Sequence, residues 1–151
     1  MWTDDNYDQF VAGLKAKFPE MFSRPYGGVC TGAGWWSIIH ALCGNIDAYT
    51  KWRNDTRKAL LANNPHNIQI PEEVPQVIVT QIKEKFGGLR FYYDGGDERI
   101  RGMVEMAESW ASHACEVCGK PAISRGGGWI RTLCDEHEAE RQNKMKNDRL
   151  M

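Results

Sequence analysis

Residues 115–137 read CEVCGKPAISRGGGWIRTLCDEH, and this stretch decides how the C-terminal part of the chain folds. A CxxC pair, Cys115 and Cys118, is followed by a CxxH pair, Cys134 and His137. Each pair can hold a metal ion from one tight turn, and four nitrogen or sulfur ligands complete a tetrahedral shell. The sequence therefore predicts one structural zinc ion per chain, bound by these four residues, with no open position for catalysis.

The residues between and around the ligands predict a small fold of their own. Gly119 permits the left-handed turn that follows a CxxC pair. The segment PAISRGGGW predicts the tip of a hairpin, WIRTL its return strand, and LCDEH the start of a helix. We therefore expect an α+β core at 1–114, a zinc-ribbon or treble-clef-like module at 115–137 packed on that core, and a polar helical tail at 138–151.

The core is predicted to combine N-terminal helices with a small antiparallel hairpin or sheet. Apolar residues recur at helical spacing over 7–18, WWSIIHALCG reads as a short buried helix, and Asn45 is placed to cap a further helix. Two strand-like segments flank Gly87-Gly88, which is a two-residue hairpin turn signal. Asp97 then caps a helix whose apolar side is formed by Ile100, Met103, Val104, Ala107, Trp110 and Ala111.

Composition sets limits on the function. The chain has 151 residues and a formal net charge of −1, and residues 77–131 are nearly neutral, which argues against a strong nucleic-acid field. No long apolar run predicts a membrane span, and the acidic start MWTDDNYDQF does not resemble a signal peptide. Because the cysteines fit a metal site better than a disulfide framework, we expect a reducing, cytoplasmic location.

A glycine-rich segment, YGGVCTGAGWW, precedes a predicted helix, so its backbone amides are candidates for binding a phosphate or another anion. It matches neither the Rossmann nor the P-loop spacing. The favoured interpretation is a tight packing loop against which Trp35 and Trp36 dock. Because adjacent helical residues point about 100° apart, one of these two rings can be buried while the other is exposed.

No residue is predicted to be catalytic. His40 and Cys43 lie one turn apart on a predicted helix, which would suit a catalytic dyad, but their apolar neighbours favour core packing. Asp94, Asp97 and Glu98 surround a glycine turn without the spacing of a calcium loop, and Asp97 has a sufficient role as a helix cap. We therefore expect a protein that is not an enzyme.

Three stretches resemble a family of small, uncharacterised proteins carried by phages and prophages. They are FSRPYGGVCTGAGWWSIIHALC, QIKEKFGGLRFYYDGGDE and CEVCGKP with GWIRTLCDEH, and the likeness spans most of residues 20–137. The resemblance implies an origin in a phage and a place in the cytoplasm of an infected or lysogenic bacterium. It implies no catalytic residues.

Three hypotheses follow for the function. The first is a zinc-stabilised binding protein that engages and inhibits or redirects a host protein, such as a defence component. Its candidate contact residues are the aromatics Trp35, Trp36, Tyr92 and Trp129. The alternative is a nucleotide- or nucleic-acid-binding protein that uses the Gly27–Gly34 loop with Arg90, Arg125 and Arg131. The third is a small hydrolase that uses His40 or the acidic turn.

Overall fold

The computed structural model describes residues 2–150, so Met1 and Met151, which belong to the predicted ranges 1–114 and 138–151, lie outside the described residues. The α-helices are α1 (Tyr7–Lys17), α2 (Trp36–Ala62), α3 (Glu98–Ala111) and α4 (Asp135–Leu150). The strands are β1 (Val29–Cys30), β2 (Ile78–Lys85), β3 (Gly88–Asp94), β4 (Ile123–Arg125) and β5 (Arg131–Leu133). Short 3-10 turns, Asp4–Asn6 and Ala33–Trp35, lead into α1 and α2. The fold is α+β, as predicted.

The larger sheet has the strand order β1-β2-β3 and is mixed rather than purely antiparallel. The predicted hairpin is present, because β2 and β3 pair antiparallel. The two-residue strand β1, which the sequence analysis did not predict, adds to β2 in parallel. The smaller sheet is the predicted hairpin of β4 and β5, in which Arg125 pairs with Arg131 next to the tip.

The turn of the larger hairpin lies one residue earlier than predicted. Its two central residues are Phe86 and Gly87, both with positive φ (53° and 80°), while Gly88 begins β3 and pairs with Lys85. Two positive φ angles in succession characterise a type I′ turn, whose twist matches that of the strands. Phe86 occupies a conformation that L-residues adopt rarely, so residue type alone did not indicate this register.

The helix predicted to begin at Asn45 is wrong, because α2 runs without a break from Trp36 to Ala62. The Asn45 side chain does not cap a helix and instead donates to the carbonyl oxygen of Ala41, one turn back, at 2.8 Å. A Cβ added at Gly44 would lie 3.9 Å from the Phe18 ring, which is an ordinary van der Waals distance, so the packing does not require a glycine at this position. Burial of one face from Trp36 to Thr50, on both sides of Gly44 and Asn45, therefore outweighs the local breaking tendency of these two residues.

The N-cap of α3 is confirmed, because the Asp97 carboxylate accepts a hydrogen bond from the backbone N–H of Ile100 at 3.1 Å. Trp110, which was predicted to lie on the apolar side of this helix, is 62% exposed. At 100° per residue, Trp110 and Met103 lie at the edge of the buried stripe rather than on it. That stripe consists of Ile100, Val104, Ala107 and Ala111.

The core lies between the inner face of the larger sheet and the helices α1, α2 and α3. Side chains alternate along the strands, so that Val29, Ile82, Leu89 and Phe91 face the helices and are buried. The segment between α2 and β2 is tied to this core by Asn54 of α2. Its side chain both donates to the carbonyl oxygen of Val74 and accepts from the Val74 N–H, at 3.1 and 2.9 Å.

Candidate metal centre and binding surfaces

The four predicted ligands come together in one cluster. The sulfur atoms of Cys115, Cys118 and Cys134 and a ring nitrogen of His137 all lie within 4.8 Å of one another. The Cys118 and Cys134 sulfurs are 3.8 Å apart, and Nδ1 of His137 lies 3.2 Å from Cys134 Sγ and 3.5 Å from Cys115 Sγ. Zinc–sulfur bonds of about 2.3 Å at tetrahedral angles place two sulfurs about 3.8 Å apart. The cluster therefore has the dimensions of a tetrahedral metal site.

Local backbone structure explains how the two pairs meet. The first pair lies on a tight turn in which the N–H of Gly119 donates to the carbonyl oxygen of Cys115 at 2.8 Å, and Gly119 has a φ of 80°. The second pair lies at the start of α4, where the His137 N–H donates to Cys134 Sγ at 3.5 Å. The hairpin of β4 and β5 connects the two pairs and brings them together.

Electrostatics distinguish the cysteines of the first pair. Burial alone raises the pKa of Cys115, but hydrogen bonds from the backbone N–H groups of Cys134, Cys118 and Val117 outweigh it and lower the pKa to about 7. Burial raises the pKa of Cys118 to about 11. On the far side of the imidazole, Nε2 of His137 lies 3.9 Å from a carboxylate oxygen of Glu140. Ligating histidines commonly donate their outer ring N–H to a carboxylate, and Glu140 is near this position but beyond hydrogen-bond distance.

The glycine-rich loop is the platform on which the CxxC turn sits. The Gly34 N–H donates to the carbonyl oxygen of Glu116 at 2.8 Å, and a Cβ at residue 34 would clash with the carbonyl oxygen of Cys115. The Glu116 carboxylate is buried and accepts from the Gly32 N–H at 3.0 Å and from Arg131 at 3.4 Å. The metal-binding module is thus packed directly on the core.

These contacts decide between the two interpretations of the loop. A carboxylate of the protein already occupies the amide of Gly32, a carbonyl group occupies that of Gly34, and the Tyr7 hydroxyl accepts from the Val29 N–H at 3.0 Å. The amides of a phosphate-binding loop must be free to face the ligand. The structure therefore supports the packing interpretation at Val29, Gly32 and Gly34, whose N–H groups already have partners in the protein.

The prediction that Trp35 or Trp36 is exposed is wrong, because both side chains are buried, at 0% and 1% exposure. Trp35 points toward the metal module, where its Nε1–H donates to the carbonyl oxygen of Ala114 at 2.8 Å. Trp36 stacks on Phe10 with ring centroids 4.9 Å apart, and the centroid of the Trp2 ring lies 6.3 Å from that of Trp36. The 3-10 turn before α2 places the two rings in two different parts of the core.

The other predicted contact residues lie on the surface but do not form one site. Tyr92 and Trp129 are exposed. Arg125 is paired with Asp135 at 2.7 Å, and Arg131 is paired with Glu116. Arg90 lies on β3 and donates to the carbonyl oxygen of Leu89 at 3.0 Å. The two hairpin arginines are thus neutralised by carboxylates, and the geometry does not aim all three at one ligand.

The residues considered for catalysis have structural roles. Cys43 is fully buried, and burial raises the pKa of its thiol to about 12, so the thiol stays protonated at neutral pH. The His40 ring packs on Phe18 with centroids 5.8 Å apart. In the acidic turn, Asp97 caps α3 and Asp94 forms an exposed ion pair with Arg24. Within residues 2–150, the Cys3His cluster is the one group of metal-ligating side chains.

A concave surface between two helices was missed by the sequence analysis. It is a groove of about 530 Å³ between α2 and α3, called the α2–α3 groove below. The side chains that line it carry no charge, and Met106 and Trp110 protrude at its border with 69% and 62% exposure. Its lining residues are Ser37, Ile38, Ala41, Leu42, Asn45, Met103, Met106, Ala107 and Trp110. The available signal was the width of the apolar side predicted for α3, which exceeds what one packing contact buries.

Comparisons of the chain with protein-family models, with curated proteins and with solved structures give no match. Within the described part of the chain, none of the helices combines the length and the apolar character that crossing a bilayer requires.

Proposed function

We propose that the Cys3His cluster holds one structural zinc ion. The sulfur and nitrogen donors, their tetrahedral spacing and the free state of all three cysteines support zinc over a hard cation such as calcium. The order of a CxxC turn, a hairpin and a helix that carries the second pair of ligands corresponds to the treble-clef form of the predicted module. In this role the metal stabilises the fold and leaves no position for a substrate.

We further propose that the protein acts by binding another protein through the α2–α3 groove. The single observation that carries this proposal is the exposure of Met106 and Trp110 beside a concave, uncharged surface. A large exposed apolar side chain costs solubility, and contiguous patches of them mark interaction sites. Tryptophan is enriched among the residues that dominate binding energy, and methionine adapts its shape to a partner.

The groove fits an amphipathic helix as its occupant. On the α2 side it presents small side chains, Ser37, Ala41 and Asn45, at spacings of four residues, so a partner helix can approach the α2 backbone closely. Larger apolar side chains face the occupant from the α3 side. Strand addition is disfavoured at β3, because Glu108 covers the outer edge of that strand and accepts from the Phe91 N–H at 3.0 Å.

The identity of the partner rests on the resemblance to phage and prophage proteins. That resemblance supports a host protein as the partner and inhibition or redirection of it as the outcome. An uncharged groove supports recognition by shape and apolar contact. The location proposed with this function is the cytoplasm of an infected or lysogenic bacterium. Thiols stay reduced there, so the three cysteines of the zinc site remain available as ligands.

Replacing Trp110 by Ala tests the groove. We expect the variant to lose on the order of 2 kcal/mol of partner binding, about 30-fold in affinity, because a large aromatic side chain that lines the groove, and that the partner would bury, is removed. Trp52→Ala is the matched control, since Trp52 is equally exposed (60%) on α2 but does not line the groove. Binding should change little with salt, because apolar contacts are not screened.

The measurement is quantitative affinity capture from host lysate with wild type, Trp110→Ala and Trp52→Ala, followed by titration calorimetry with the captured protein. The proposal requires a protein that wild type and Trp52→Ala retain and that Trp110→Ala loses. Equal retention by all three proteins would place the binding surface elsewhere. If neither wild type nor the two variants retain any protein from the lysate, the binding function itself is contradicted.

A further inference from the structure

The outer face of the larger sheet carries a row of cationic side chains next to an aromatic one. In the pairing register, Cys30 of β1 lies beside Lys83 of β2, which lies beside Arg90 of β3, so that one row crosses all three strands. The buried residues Val29, Ile82 and Phe91 form the adjacent row on the inner face. The outer face, called the basic sheet face below, carries Cys30, Gln81, Lys83, Lys85, Arg90 and Tyr92.

The cations of this face have no carboxylate partner. Nine ion pairs occur among residues 2–150, and none includes Lys83, Lys85 or Arg90. Glu84, which is adjacent in sequence, lies opposite Leu89 in the strand register, and its carboxylate accepts from the Gly87 N–H at 2.6 Å rather than from one of these cations. The near-neutral sum over 77–131 thus conceals a local excess of positive charge.

Exposed aromatic rings border these cations. Tyr92 lies on the face itself, Phe86 occupies the turn at its end with 75% exposure, and Trp129 protrudes from the neighbouring hairpin with 73%. A cleft of about 380 Å³ lies between the last two rings and is also lined by Lys83, Glu84 and Lys85, so that two cations and one carboxylate residue border it. The backbone keeps Phe86 in the left-handed region, at φ 53°, although a glycine or asparagine would adopt that conformation more readily.

We propose that the basic sheet face, with Phe86 and Trp129, binds single-stranded nucleic acid. The cations contact phosphates along the strand, and the bases stack on the rings of Tyr92, Phe86 and Trp129. Alternation of cations with exposed rings suits a chain of phosphates and bases, whereas an acidic peptide offers carboxylates without planar rings. Single strands are favoured over duplexes because paired bases remain stacked on each other and do not reach side-chain rings.

This site retains the ligand class of the alternative hypothesis but moves it away from the glycine-rich loop. It lies on a different surface from the α2–α3 groove and uses none of the groove residues. Its success or failure is therefore independent of the proposed protein-binding function.

The test measures fluorescence anisotropy of a labelled oligo-dT of about 12 nucleotides at about 20 mM salt and upward. For wild type we expect log K to fall with log salt with a slope of about −2, as three phosphate contacts on a single strand require. Lys83→Glu with Lys85→Glu should weaken binding about tenfold or more. Tyr92→Ala should weaken it about fivefold or more and leave the salt slope unchanged.

Lys144→Glu with Lys146→Glu is the matched control, because these exposed lysines of α4 have the same spacing and the substitutions cause the same change in net charge. If the variant with Lys83→Glu and Lys85→Glu fails to fold, Lys83→Gln with Lys85→Gln is used instead. Equal weakening by the two double variants would overturn the proposal, because attraction would then depend on net charge alone. Three other results would also overturn it. They are no binding at low salt, an affinity for duplex DNA equal to that for oligo-dT, and competition by polyglutamate as strong as that by unlabelled oligo-dT.

Discussion

Gly34 illustrates at the scale of one residue how the metal module is attached. The absence of a side chain at this position lets the backbone of the CxxC turn approach, since an added Cβ would lie 2.7 Å from the backbone nitrogen of Cys118 and closer still to the carbonyl oxygen of Cys115. Side-chain chemistry allowed the four ligands to be predicted from the sequence. The partner of Gly34 could not be predicted, because a glycine carries no chemical signal for what contacts it.

Replacing Gly34 by Ala should destabilise the protein by roughly 2 kcal/mol or more, because the clash is with rigid backbone rather than with a flexible side chain. Gly102→Ala is the control, since a Cβ at this exposed position of α3 has no neighbour within 4 Å and should stabilise the helix by up to about 1 kcal/mol. Urea unfolding of both variants measures the difference. A Gly34→Ala protein as stable as wild type would show that the CxxC turn is not seated as described.

At the scale of elements, periodicity predicted the positions of most helices and strands but not their continuity or their outer surfaces. The ends of α1 and α3 and the presence of the two hairpins follow from caps, turns and apolar spacing that are local in sequence. The unbroken course of α2 and the exposure of Trp110 depend instead on which neighbours cover each face. The register at Phe86-Gly87 likewise follows from sheet pairing and not from the residue types in the turn.

The cap of α3 gives a pH dependence with a definite sign. Burial alone raises the pKa of Asp97, but hydrogen bonds from the Tyr49 hydroxyl and the N–H groups of Ile100 and Arg99, with the charge of Arg53, outweigh it and lower the pKa. A carboxyl whose pKa is lower in the folded state stabilises the fold above the unfolded value of about 3.9, and this contribution is lost as the pH falls below it.

Asp97→Asn should therefore cost about 1 kcal/mol at pH 7 and less at pH 3, because an asparagine still caps the helix but carries no charge at either pH. Chemical unfolding at both pH values measures the change. Asp94→Asn serves as the control, since its ion pair with Arg24 is solvent-exposed and contributes little. A cost for Asp97→Asn that does not diminish at low pH would contradict the assignment.

At the scale of the whole molecule, the metal-binding module and the core are joined by direct hydrogen bonds. The predicted boundary at 137/138 lies inside α4, and Glu116 and Trp35 join the predicted module to the predicted core. Because binding energy at a structural zinc site is folding energy, loss of the metal should affect the core as well as the hairpin.

Metal analysis of the purified protein should find about one zinc per chain. Cys118→Ser should lose the metal and lower the melting temperature of the whole molecule in a single transition, because the core contacts of the module are lost with it. Cys30→Ser, which changes an exposed cysteine outside the cluster, should retain both metal and stability. Stoichiometric zinc in a Cys118→Ser, Cys134→Ser double variant would refute the site.

The contact between Glu116 and Gly32 also bears on the order in which parts of the chain fold. The ligands Cys115 and His137 are 22 positions apart, whereas the contact from Gly32 to Glu116 spans 84 positions. Loop-closure entropy grows with span, so the short loop closes at lower cost than the long one. The metal-binding segment can thus assemble before its contact with Gly32 forms.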